Sequence, residues 1–227
     1  METYLGTIFD IEKNIPIAYE TEVRILDKNL GVLVPEIYMP ISNKTVQSKQ
    51  IFEWTYNDCF KIIDRLENRH MNFKYLIIKA PLKVMIDIKL IDTFIAKAKD
   101  TERFAFSIEP DTFFDKNKNV YENINKLREK GVKIILANFG CEGFPTSEII
   151  NAPVDIVRFD RFLTHCIFGD AKQQLYVKGI TEMLNTLKIK ILIDEIKKEE
   201  EYNKVVDFAD LLTGKYFGKF KKDRYIR

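Results

Sequence analysis

Cysteine, histidine, glycine and proline are all scarce in this 227-residue chain, with 3, 2, 9 and 7 copies. Each scarcity excludes something. Cys59, Cys141 and Cys166 are odd in number, far apart and form no CxxC pair, which argues against a disulfide framework or a zinc site and for reduced thiols. His70 and His165 have no carboxylate or cysteine at triad-like positions, so acyl-transfer chemistry has no support. So little glycine and proline leaves no material for long flexible linkers. Neither sign of charge dominates: 36 basic and 34 acidic residues give a net charge of +2, without the concentrated basic face a nucleic-acid partner needs. No run approaches the roughly 20 apolar residues that span a bilayer, which excludes membrane insertion. The opening METYLGTIFDIEKN carries acids early and no apolar stretch of signal-peptide length, so the expected location is cytoplasmic.

What remains is ordinary globular material, 46% apolar and 31% charged. Gly6–Ile11 and Ile15–Leu26 are strand-like runs joined by three residues, a connection short enough only for an antiparallel hairpin. Asp27–Lys49 reads as irregular. From there β-branched and aromatic runs alternate with helical spacing. Strands are expected at Tyr75–Lys79, Phe104–Ile108, Val132–Leu136, Ile156–Phe159 and Ile189–Ile193, with a short last one in Leu211–Tyr216. Helices are expected at Ile51–Asn68, Ile86–Lys99, Val120–Lys130 (stopped by Gly131), Ala171–Leu187 and Lys198–Phe208. The basic end, Lys219–Arg227, reads as solvated. Seven or eight strands in this length favour a closed TIM-like (β/α)8 barrel in one domain over residues 1–227, with an antiparallel first strand. In such a fold function belongs at the carboxyl ends of the strands.

Four segments carry a resemblance. GVKIILANFG (131–140), NAPVDIVRFDRF (151–162), ILIDEIKKEEE (191–201) and IFDIEKNIPIAYETEVR (8–24) keep the order and spacing of segments of the EAL domain, a barrel family that hydrolyses the bacterial second messenger cyclic di-GMP. LGVLVPEIYMPI (30–41) and Trp54 also fit, so the resemblance spans nearly the whole chain. It implies two Mg²⁺ or Mn²⁺ ions that activate water for in-line attack on a phosphodiester. Such ions need hard anionic oxygen ligands.

The sequence departs where the resemblance would place those ligands. Glu20 is kept. The family's Asn becomes Lys79, its next Glu becomes Ser107, its adjacent Asp pair becomes Ala137 and Asn138, and its catalytic Lys becomes Arg158. A later Glu becomes Asp194 and a Gln becomes Thr213, while Asp160 is kept. No bound metal or other cofactor is therefore expected, because a dication meets few anions and an added ammonium. Glu109, two residues beyond Ser107, lies on the same strand face and is a candidate substitute for the lost Glu.

Two residues carry open alternatives. Lys79 is either a built-in cation paired with Glu20 or a solvated strand-end lysine. Arg24, matching an arginine that contacts phosphate in the family, is either a ligand contact or part of a structural ion pair. The loop Cys141–Thr146 departs from the family's through Glu142 and Pro145, which puts its coupling of metal binding to dimerisation in doubt; a dimer stays open. Three functions follow from the resemblance: an inactive regulator acting on a protein partner, a cyclic di-GMP receptor using Arg24, Asp160, Arg158 and Asp194, or a residual cyclic-nucleotide phosphodiesterase.

Overall fold

The computed structural model describes residues 1–144 and 146–226; Pro145 and Arg227 lie outside the described residues. Eight strands close into a barrel. In chain order, β1 (Glu2–Asp10) and β2 (Ile15–Asp27) form the antiparallel hairpin, and β3 (Gly31–Leu33) adds a short antiparallel strand to the end of β2. Helices α1 (Pro35–Ser42) and α2 (Gln47–Asn68) follow. Then come β4 (Tyr75–Lys79), α3 (Leu82–Met85), α4 (Ile88–Lys97), β5 (Phe104–Ile108), α5 (Pro110–Phe113) and α6 (Lys118–Glu129). The chain continues through β6 (Lys133–Phe139), β7 (Ile156–Phe159), α7 (Arg161–Ile167), α8 (Ala171–Thr186), β8 (Lys190–Ile193), α9 (Glu199–Val205) and β9 (Leu211–Thr213). Strands β2, β4, β5, β6, β7, β8 and β9 run parallel in that order, and β1 closes the barrel antiparallel to both β9 and β2.

Period-two alternation sorts the strand residues into two cores. Facing the helices, Leu76, Ile78, Phe104, Phe106, Val157 and Phe159 belong to one core, in which Phe106 packs against Phe52 and Phe94 of α2 and α4. Each such fully buried side chain stabilises the fold by about 1.5–3 kcal/mol relative to exposure. Facing inward, Ile8, Ala18, Ile77, Ala105, Ile135, Ile156, Leu192 and Leu211 fill the barrel, one from each of its eight strands. The residue two places nearer the carboxyl end of each parallel strand therefore faces the barrel mouth.

Several stretches differ from the sequence expectation. Asp27–Lys49 is not irregular: it holds β3, α1 and the start of α2, with Asp27 accepting the backbone N–H groups of Asn29 and Leu30 in the turn. The helix expected at Ile86–Lys99 is shorter, Ile88–Lys97, because Asp87 caps it by accepting from the Leu90 N–H, and a separate one-turn helix, α3, precedes it. The basic end is docked on the barrel through Ile226 rather than free, although Lys219, Lys221 and Arg224 stay exposed. Leu5 and Lys221 exchange backbone hydrogen bonds, Arg65 pairs with Asp223 at 2.5 Å, and the Phe220 ring lies where a Cβ on Gly6 would stand. Gly131 ends α6 as expected, with φ +83°.

Candidate functional site

The inward-facing row at the carboxyl ends of the strands is Glu20, Lys79, Ser107, Ala137, Arg158, Asp194 and Thr213, each two residues beyond an interior apolar residue. The fold thus brings the sequence-selected positions to one mouth. Glu20, Arg158, Lys79, Asp194 and Thr213 line a cavity of about 780 Å³. It extends outward past Arg24, Tyr38 and Met39 to Gly218, Lys219 and Phe220 of the docked C-terminal segment. Sequence reasoning missed that last wall, because a basic tail gives no local signal of packing.

The centre of the mouth is an ion pair. Arg158 Nη1 lies 2.9 Å from Glu20 Oε1 and 3.8 Å from Asp194 Oδ2, with the Arg158 and Glu20 side chains only about a tenth exposed (11% and 10%). Burial alone pushes the Glu20 carboxyl up; Arg158 and then Lys79 reverse this and hold it below the ordinary carboxylate value. Burial likewise lowers Arg158, but Glu20 and Asp194 override it, so the guanidinium stays charged. Asp194 ends on the other side: burial raises its pKa, Arg158 opposes this, and the Glu20 charge pushes it up again. Two of the Arg158 donors, Nε and Nη2, are buried without a hydrogen-bond partner among the described residues.

Arg158, not Lys79, is therefore the cation in contact with Glu20. Lys79 is exposed and forms no salt bridge among the described residues, acting on Glu20 only through its field. Lys79→Met should accordingly change stability by no more than about 0.5 kcal/mol, read as an unchanged melting temperature at pH 7. A drop of several degrees would restore the direct Lys79–Glu20 pair.

The remaining positions are occupied by other contacts. Ser107 and Ala137 are buried. Asn138 sits in the left-handed region at φ +48° and donates its amide to Glu109 Oε2 at 2.6 Å, so Glu109 is held by an amide at the rim. Thr213 donates to the Thr7 carbonyl at 2.7 Å, fastening β9 to β1. Glu195, also left-handed at φ +60°, pairs with Arg161 at 2.8 Å. Asp160 does not line the cavity; its carboxylate caps α7 by accepting from the Phe162 N–H. Arg24 does line it, braced by Glu22 at 2.6 Å and lying 3.8 Å above the Tyr4 ring. The ion-pair reading and an available guanidinium edge are thus both present at Arg24. Among the described residues, no three His, Cys, Asp or Glu side chains converge as a metal site, and no helix is long and apolar enough to cross a membrane.

Comparison with known proteins agrees on the fold. Residues 1–219 match the EAL domain family. A Vibrio cholerae relative, biofilm architecture maintenance protein MbaA, is 21% identical over 213 residues, which is 89% of this chain but 26% of that protein, about a quarter of its length. Among solved structures, the EAL enzyme Bd1971 with cAMP and cyclic di-GMP bound superposes with a TM-score of 0.86 at 17% identity, over 98% of this chain and 62% of that one. The phosphodiesterase PaMucR in complex with cyclic di-GMP gives 0.84 at 16%, over 97% and 91%. The FimX EAL domain from Pseudomonas aeruginosa bound to cyclic di-GMP gives 0.83 at 13%, over 97% and 90%.

Proposed function

The chain belongs to the EAL domain family, and from that premise we propose that it is a catalytically inactive regulator that works by binding a protein partner. One observation carries the reading: the Arg158 guanidinium, 2.9 Å from Glu20, stands where dications would need to gather oxygen ligands. The residues present do not fit the Mg²⁺ or Mn²⁺ pair of the family chemistry. Along the inward row two carboxylates, Glu20 and Asp194, are matched by two cations, Lys79 and Arg158, so an entering dication gains little attraction. Asn138 spends its amide on Glu109. Arg158 cannot surrender its proton at any working pH, which removes it as a general acid or base.

A second reading, a cyclic di-GMP receptor that binds without cleaving, rests on the unpartnered Nε and Nη2 of Arg158. Arg158 lines the cavity, and a guanidinium whose donors are not all taken up by the protein suits a phosphodiester oxygen. Arg24 on the same wall could take a second phosphate.

One experiment separates these. The protein is incubated with Mn²⁺ and cyclic di-GMP while product is followed by chromatography, and binding is measured by calorimetry without metal. No linear dinucleotide is expected. Hydrolysis that depends on Mn²⁺ and is lost on Glu20→Gln sinks the inactive reading. Binding heat without product replaces the protein-partner reading with the receptor.

A further inference from the structure

The hairpin that extends β2 beyond the barrel, together with α1, carries an uncovered apolar surface. Leu26 and Val32 stand directly opposite each other in the β2–β3 ladder, so their side chains share a face. Leu30 lies in the turn between them. Ile37 and Ile41 are four apart on α1 and share one helix face, and only Val34 separates α1 from β3. Val46 follows. All six side chains are more than half exposed, from 52% to 72%. Single exposed apolar residues are ordinary, but six between positions 26 and 46 of one hairpin–helix unit are a concentration of the kind that marks an interface.

The edge beside the patch is also open. β3 ends the sheet order, so among the described residues its outer side has no strand partner. Natural edges are usually blunted by charge, proline or a bulge, and Gly31, Val32 and Leu33 supply none of these. The charges stand at its two ends instead: exposed Lys28 is four residues before Val32, and exposed Glu36 is four after it. An antiparallel pairing of two such edges about a two-fold axis at Val32 sets Gly31 against Leu33. It also points Lys28 of each copy at the end of the edge where Glu36 of the other lies. The segment is complementary to itself, which is what an isologous contact requires.

We propose that the chain self-associates through the β3 edge, the occupant of this surface being a second copy. The two hairpins then form a continuous ribbon, with Leu26 and Val32 of both copies in one apolar row. Crosswise Lys28–Glu36 attraction sets the register. The same unit supplies Tyr38 and Met39 to the cavity wall, so association would hold that wall in place.

Sedimentation equilibrium of the full chain over a concentration series tests this. A monomer–dimer equilibrium is expected, and Val32→Arg should leave monomer throughout while melting like the wild type at dilutions where the wild type is monomeric, since Val32 is exposed. Lys28→Glu and Glu36→Lys should each weaken association by about tenfold. Combined, they should recover most of that loss, because the pairs re-form with signs exchanged. The charge series decides the matter even if Val32→Arg misfolds. A wild type that stays monomeric, a dimer indifferent to Val32→Arg, or a double exchange no better than the single ones each overturns the proposal; so does association of the monomer with lipid vesicles instead.

Discussion

Arg158→Met should cost about 3–5 kcal/mol at pH 7, the range for removing one member of a buried ion pair. For a chain of this size that is a fall of roughly 10 °C in melting temperature. The side chains are of similar volume, so the loss is electrostatic. Glu20 is left in a buried site with only Lys79, which forms no salt bridge with it, to oppose its charge, and Asp194 loses its salt-bridge cation. The pH dependence identifies the cause. In the wild type Glu20 titrates below its ordinary value, so its contribution is present above about pH 4.5 and is lost as pH falls through the lowered folded value. Asp194, raised by burial, runs the opposite way and trims stability as pH rises through its folded value. In the variant both carboxyls are raised, the folded state holds more protons than the unfolded one, and stability falls with rising pH. The gap between the proteins should therefore widen from about pH 4 to pH 7. A constant gap across that range would reduce Arg158 to a packing residue.

Much of the architecture was legible in the sequence, and the misses have physical reasons. Tyr75–Lys79, Phe104–Ile108 and Ile156–Phe159 match the structure residue for residue, because short β-branched and aromatic runs between helical patterns leave little freedom in a parallel barrel. α7 was missed since its seven residues, Arg161–Ile167, are too few to show a period, and its capping aspartate, Asp160, was read as a ligand. The tail was misjudged because charge pattern sees Lys219, Lys221 and Lys222 but not Phe220 against Gly6 or the Leu5–Lys221 bridge, which depend on residues more than 200 positions away. The site shows the same limit. Alternation places Glu20, Ser107, Ala137 and Arg158 on the inner face, but which cation reaches Glu20 is a matter of side-chain length and strand stagger. Lys79 lies on the strand next to Glu20, yet Arg158 makes the contact from across the barrel.

Rebuilding the anionic row should convert the mouth into a metal site, the largest gain expected of any set of substitutions. Lys79→Asn, Ser107→Glu, Ala137→Asp, Asn138→Asp and Arg158→Lys together restore five of the side chains that the family resemblance implies, leaving Asp194 and Thr213 as they are. Three carboxylates join Glu20 and Asp194, two cations are replaced by one lysine, and all the positions but the exposed Asn138 are inward-facing already. Asn138→Asp is conformationally mild, as aspartate tolerates the left-handed backbone held there, although the amide bond to Glu109 is lost. Without metal, like charges crowd one buried site and the melting temperature should fall by several degrees. With Mn²⁺ at about 100 times its dissociation constant, binding to the folded state alone adds about 2.7 kcal/mol, or about 5–10 °C. The wild type should show no such response, because a dication there displaces Arg158 from Glu20 without gaining ligands. Because the five sites are close neighbours, single substitutions should not sum to this effect. Melting curves with Mn²⁺, with Mg²⁺ and with chelator make the measurement. A wild type stabilised by Mn²⁺ as strongly as the rebuilt protein would mean that Arg158 yields to metal, and the mouth would have to be read as an active centre.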